Sequence, residues 1–157
     1  MRMISKSKKW ATLLLLLLAG SLTAQVKVPT YFSNNMVLQK GMAIPVWGWA
    51  TPGEKVTVTI DQSSMSATAD KEGKWNVKLA AMNYGGPYQL TIQGKTNLSF
   101  ENVMIGEVWV CSGQSNMEFQ LITSKNGEAE VAASNYPNIR LFTVKKTISH
   151  QQQEKLQ

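Results

Sequence analysis

Between Met36 and Ile105 the chain is broken again and again by residues that force a turn, and this punctuation leaves no room for a helix of ordinary length. The breaks are Thr51-Pro52-Gly53, Asp61-Gln62-Ser63-Ser64, Asp70-Lys71-Glu72-Gly73, Tyr84-Gly85-Gly86-Pro87 and Gly94-Lys95-Thr96-Asn97. Each supplies a fixed φ, a glycine or an Asx-type turn. The intervening runs read as strands: Ile44 to Ala50, Lys55 to Ile60, Met65 to Ala69, Trp75 to Leu79, Tyr88 to Gln93 and Leu98 to Ile105. In Val56-Thr57-Val58-Thr59-Ile60 and in Tyr88 to Gln93 every second side chain is apolar, the period of a half-buried strand. Short strands with turn chemistry between them predict an antiparallel all-β sandwich, immunoglobulin-like or jelly-roll-like, over 25–105. Trp47, Trp49 and Trp75 could form a sugar-stacking platform, but large aromatics in strands more often fill a core, and packing is the expectation.

After Ile105 the pattern changes. Gly106-Glu107 leads into the apolar run Val108-Trp109-Val110-Cys111 and then into Ser112-Gly113-Gln114-Ser115-Asn116-Met117. A buried strand running into a polar, glycine-containing turn is how α/β enzymes open a site at the carboxyl end of a sheet. A domain boundary is therefore expected near Gly106, with 106–157 as the incomplete start of an α/β domain. Glu128 to Ser134 reads as a short helix and Ile139 to Val144 as a further strand. Cys111, the single cysteine, excludes an intrachain disulfide and is expected as a small buried hydrophobe.

At the amino terminus Arg2, Lys6, Lys8 and Lys9 precede an apolar run from Trp10 to Ala19, followed by small and polar residues to Ala24. This is the pattern of a signal peptide over 1–24, and the run is shorter than the roughly 20 apolar residues of a spanning helix. Secretion, or delivery to a periplasm, is the expected location, with no membrane attachment after cleavage. The segment holds four of the 16 basic residues and none of the 10 acidic ones, leaving twelve against ten, a net charge of +2. The high pI is thus largely a targeting effect, and no basic patch for nucleic acid remains.

Ser115 lies just past the expected strand end, where a turn can expose its hydroxyl and aim backbone N–H groups at a developing oxyanion. A serine hydroxyl needs a base, normally a histidine oriented by a carboxylate. The Gly-x-Ser-x-Gly elbow of the α/β-hydrolases is excluded, because Met117 follows Asn116. Without wider context, an ordinary N-cap serine at a helix start would be the favoured reading of Ser115.

That context exists. Ser33-Asn34-Asn35-Met36-Val37-Leu38-Gln39, Pro45-Val46-Trp47-Gly48-Trp49-Ala50, Pro52-Gly53-Glu54, Asp70-Lys71-Glu72-Gly73-Lys74-Trp75, Gly85-Gly86-Pro87-Tyr88 and the run from Gly106 to Glu118 together resemble the amino-terminal region of the sialate O-acetylesterase family. This is a branch of the SGNH hydrolases in which a Gly-Gln-Ser-Asn block carries the nucleophile. The resemblance runs from about Tyr31 to Val144. It implies hydrolysis of acetyl esters on sugar hydroxyls, with 9-O-acetylated sialic acid the namesake substrate and acetylated plant polysaccharides handled by relatives. It implies no metal and no organic cofactor.

On the same resemblance Ser115 would attack the acetyl carbonyl, and its own N–H would be one oxyanion donor. Gly113 would permit the tight turn, Gln114 stands where other SGNH enzymes have aspartate, and Asn116 would hold the turn or the substrate. The family's later glycine and asparagine, and its Asp-x-x-His block, have no counterpart here. The sole histidine, His150, has no aspartate three residues before it and is expected at the surface. Only 42 residues follow Ser115, too few for the βα units that cover a parallel sheet. The expectation is an ordered β-domain, a loosely packed tail after about Gln120, and no activity in this stretch alone. The competing reading is a non-catalytic β-module that binds glycans or proteins.

Overall fold

The structure, a computed structural model, describes residues 25–144 together with 148, 150 and 151; the expected signal peptide at 1–24 lies outside them. Seven strands appear in order: β1 (Val37–Gln39), β2 (Ile44–Trp49), β3 (Lys55–Ile60), β4 (Ser63–Thr68), β5 (Lys74–Leu79), β6 (Gly85–Gln93) and β7 (Asn97–Gly106). Five form a curled, half-barrel sheet in the order β1-β7-β6-β3-β4, and β2 pairs with β5 in a separate antiparallel ribbon. Six of the strands fall where the alternation placed them. The seventh, β1, runs parallel to β7, with Val37 opposite Met104 and Gln39 opposite Gly106. An all-antiparallel arrangement is therefore corrected at this one edge.

The alternation becomes burial. Val56, Val58 and Ile60 of β3, Leu90 and Ile92 of β6, and Val103 of β7 are fully enclosed, and Ile44, Val46, Trp75, Val77 and Leu79 of the ribbon join them in one core. Burying each such side chain contributes roughly 1.5–3 kcal/mol. The β3–β4 hairpin is tighter than the sequence suggested. Its loop is only Asp61-Gln62, with Asp61 at φ 50°, so Ser63 and Ser64 belong to the strand. Hydroxyl pairs Thr57–Ser66 and Thr59–Ser64, both 2.9 Å, hold the two strands' outer face. At Asp70 the turn chemistry acts as read, Asp70 Oδ1 accepting the N–H groups of Glu72 (3.0 Å) and Lys74 (2.8 Å), whereas Gly85, Gly86 and Pro87, expected as a break, open β6, with Gly85 opposite Ile105.

Gly48 has a reason that the sequence did not reveal. A Cβ there would stand 2.0 Å from the carbonyl oxygen of Lys27. The missing side chain lets the entering chain pair with β2, Lys27 and Trp49 exchanging two backbone hydrogen bonds of 2.8 Å.

Beyond β7 come two 3-10 turns, Ser115–Glu118 and Leu121–Thr123, and one short helix, α1 (Gly127–Ala133), close to its expected place. Two expected strands are absent. Val108–Cys111 and Ile139–Val144 take no regular structure, because no neighbouring strand among the described residues offers them ladder bonds. Their apolar side chains are consequently exposed, Trp109 by 83% and Val110 by 91%, and Cys111 is an exposed thiol rather than a buried one. Leu121, Ile122, Tyr136, Ile139 and Leu141 are exposed too, so the segment after Gln120 is loosely packed.

Candidate active site

The residues that lead to Ser115 are fixed where they leave the sheet. Because β1 is parallel to β7, both strands end pointing the same way, and Gln39 stands beside Glu107 and Val108. Its side chain uses both atoms: Oε1 accepts the Val108 N–H at 2.8 Å, and Nε2 donates to Glu107 Oε2 at 3.0 Å. The hydroxyl of Tyr84 donates to Glu107 Oε1 at 2.9 Å, Lys40 Nζ lies 3.2 Å from the same oxygen, and the ammonium sits 4.0 Å above the Tyr84 ring. Hydrogen bonds from Gln39, Tyr84 and Lys40, in that order, hold the Glu107 carboxyl below the ordinary glutamate value. Tyr84 first, then Glu107, push the Lys40 ammonium up. All four groups face solvent, so the cluster's effect is on geometry more than on stability.

Past it the chain is open. Gln114, extended at φ −99° and ψ −156°, precedes the turn opened by Ser115, and its side chain caps nothing. Ser115 occupies the first position of that turn rather than the cap, and it is exposed. The turn closes through Met117 N–H to Gln114 O (2.9 Å) and Phe119 N–H to Asn116 O (3.3 Å). Gly113 is not among the residues with positive φ. What it spares is space, since a Cβ would lie 2.6 Å from Met117 Cγ. Gly113, Gln114, Ser115 and Asn116 thus share one exposed turn, and His150 is exposed as well.

The far side of the segment is also tied down. Arg140 donates from Nη1 to Asn102 O and, at 3.4 Å, to Met36 O, and from Nη2 to Asn102 Oδ1 at 3.0 Å. Asn102 can present both oxygens because it sits in a bulge. Between Leu90↔Phe100 and Tyr88↔Val103, β7 has one residue more than β6, and Asn102 takes φ 54°. Asn102 Nδ2 donates to Asn35 Oδ1 at 2.7 Å, which locks the loop before β1. Sequence reading missed Gln39, Tyr84 and Arg140 as members of this region. Their partners are 68, 23 and 38 positions away, beyond any local pattern.

The aromatic residues divide. Trp75 is 2% exposed and belongs to the core, with its indole N–H lacking a partner among the described residues. Trp47 is 37% exposed and lies edge-on to Phe32 at 5.3 Å, with Tyr31 at 5.6 Å.

No protein-family model matches the chain. Its fold, however, is similar to part of the crystal structure of a carbohydrate acetylesterase from Xanthomonas citri, which superimposes with a TM-score of 0.81 at 37% identity over 85% of this chain and 31% of the other. Among curated proteins, the sialate O-acetylesterase of Pongo abelii is 36% identical over 143 residues, 81% of this chain and 27% of that protein. The Mus musculus sialate O-acetylesterase is 32% identical over 157 residues, 90% of this chain and 29% of that protein. Over the stretch it shares with them, the chain belongs to the sialate O-acetylesterase family. It spans less than a third of the length of each.

Proposed function

We propose that this chain is the amino-terminal part of a secreted or periplasmic carbohydrate O-acetylesterase in which Ser115 is the nucleophile. The observation that carries the reading is the placement of Gly113-Gln114-Ser115-Asn116 on an exposed turn just after β7, inside a stretch similar to enzymes of that activity. Residues 1–24 act as the signal peptide, 25–105 as a β-sandwich, and the chain from 106 onward as the opening of an SGNH hydrolase domain. Ser115 Oγ attacks the acetyl carbonyl carbon, its proton passes to a histidine, and the Ser115 N–H helps to hold the oxyanion until the sugar hydroxyl leaves. Water then releases acetate from the acyl-enzyme. The histidine and its aspartate come from the part of such proteins that this chain does not span, so 1–157 alone is inactive.

The test is acetate release from O-acetylated sugars by the protein made from its full reading frame. Ser115→Ala should lower the turnover by roughly 10⁴–10⁶. An unchanged rate overturns the reading.

The half-exposed Trp47, backed by Tyr31 and Phe32, favours a second reading in which the β-domain binds glycans without acting on them. Calorimetry against acetylated and plain glycans decides it. Binding lost in Trp47→Ala supports this reading, and no heat of binding removes it.

A further inference from the structure

We propose that β1 and the residues at its two ends are a positioning device for the segment that carries Ser115; the proposal rests on the reading of Ser115 as nucleophile. Met36 precedes the strand and Gln39 ends it, so the two stand about 10 Å apart at a strand rise of roughly 3.3 Å per residue. Gln39 holds the start of the segment through Val108 N–H and Glu107. Met36 O, with Asn102, holds its end through Arg140. Residues 108 and 140 are thereby tied to opposite ends of β1, one to Gln39 in the strand and the other to Met36 just before it and to Asn102 of β7, although 32 positions separate them.

The strand itself is well held. It pairs in parallel with Met104–Gly106, and Met36 O and Lys40 N bond to Met104 N (3.0 Å) and Gly106 O (2.9 Å). Pinning both ends of a long segment removes much of the closure entropy that positioning the turn would otherwise cost. A strand this short adds little core: all three of its residues are only partly buried. The anchoring interactions are therefore polar and directional, suited to setting a position. A nucleophile displaced by about 1 Å can lose on the order of 10²-fold in rate, so such a device acts on kcat more than on KM. Gln39 and Arg140 are positioning residues in this sense.

The experiment uses the protein from its full reading frame. Gln39→Ala and Arg140→Ala are each expected to lower kcat by about tenfold or more, with KM within about twofold and the melting temperature nearly unchanged. Guanidinium at millimolar concentration should partly restore Arg140→Ala. Exchanging amide and carboxylate tests the other anchor: Gln39→Glu alone sets two carboxylates together and should be impaired, whereas Gln39→Glu combined with Glu107→Gln rebuilds the pair and should recover most of the rate. Amide hydrogen exchange across 108–140, measured in a Ser115→Ala background, should rise when Gln39→Ala is added. Wild-type kcat and unchanged exchange in both alanine variants, with Ser115→Ala inactive, overturn the positioning device and leave the nucleophile standing. Full activity in Ser115→Ala overturns the nucleophile, and the exchange measurement then still decides whether the anchors hold the segment. Should the alanine variants fail to fold, the exchanged pair decides: no recovery overturns the proposal.

Discussion

The backbone N–H of Lys95 donates to Glu54 Oε1 at 2.6 Å, joining the β6–β7 turn to the turn before β3 across 41 residues. Glu54 is 7% exposed, and its second oxygen accepts the N–H of Thr51 at 3.1 Å. Burial by itself raises the carboxyl, but the Lys95 N–H, then the Thr51 hydroxyl and the Thr51 N–H, with the Lys95 charge adding to them, outweigh it, and the net position is below the ordinary glutamate value.

A folded-state value below the unfolded one means that the folded chain binds fewer protons. The stabilisation is therefore complete above the ordinary glutamate value and disappears as pH falls through the lowered one. Glu54→Gln keeps one acceptor and loses the other, and should cost about 1–3 kcal/mol near neutral pH. Urea titrations of both proteins across the acid range should converge as the pH falls. A constant gap down to the acid limit would contradict the assignment.

Gly48→Ala should destabilise the β-domain by about 1–3 kcal/mol or more, because its methyl group must displace the Lys27 carbonyl and break the bridge to Trp49. Denaturant midpoints measure this. A neutral substitution would mean that the entering strand does not pack where it is described.

Trp75→Phe is a sensitive check on the core. Its indole N–H has no partner among the described residues, so removing it relieves an unmet donor while opening a small void. The change should cost less than about 1.5 kcal/mol, against about 2–5 for Leu79→Ala in the same layer. Thermal unfolding followed by circular dichroism would rank them.

Cys111 offers a direct test of the domain reading. In the 157-residue chain a thiol reagent should titrate one cysteine without denaturant, because the side chain is exposed. In the protein from the full reading frame, Val108–Cys111 should find strand neighbours, and labelling should slow at least tenfold. Equal rates in the two would argue against a buried strand at that position.

The β-domain was legible because its information is local. Val56-Thr57-Val58-Thr59-Ile60 states both its period and its buried face, and Pro52-Gly53 and Asp70 state their turns. β1 was missed because Val37-Leu38-Gln39 is too short to show a period, and its partner, β7, lies some 67 positions away. Val108–Cys111 shows the opposite failure. Its composition is that of a buried strand, but a strand also needs neighbours, and composition does not say whether they are present. At the candidate site, the turn around Ser115 could be located from its motif, whereas Arg140 could not, since its role depends on a bulge that turns Asn102 outward.

The parallel pairing of β1 with β7 also governs when the domain can fold. Its first and last strands are neighbours, so the sheet's edge cannot form until Gly106 has been synthesised. The β3–β4 and β6–β7 hairpins can form earlier from sequence-near contacts, but this last contact is of high order and comes late. A chain emerging from a ribosome or a translocation pore would leave β1 without a neighbour during that wait, and the β6-facing edge of β3 open until β6 is made, when a holding chaperone would have most to bind.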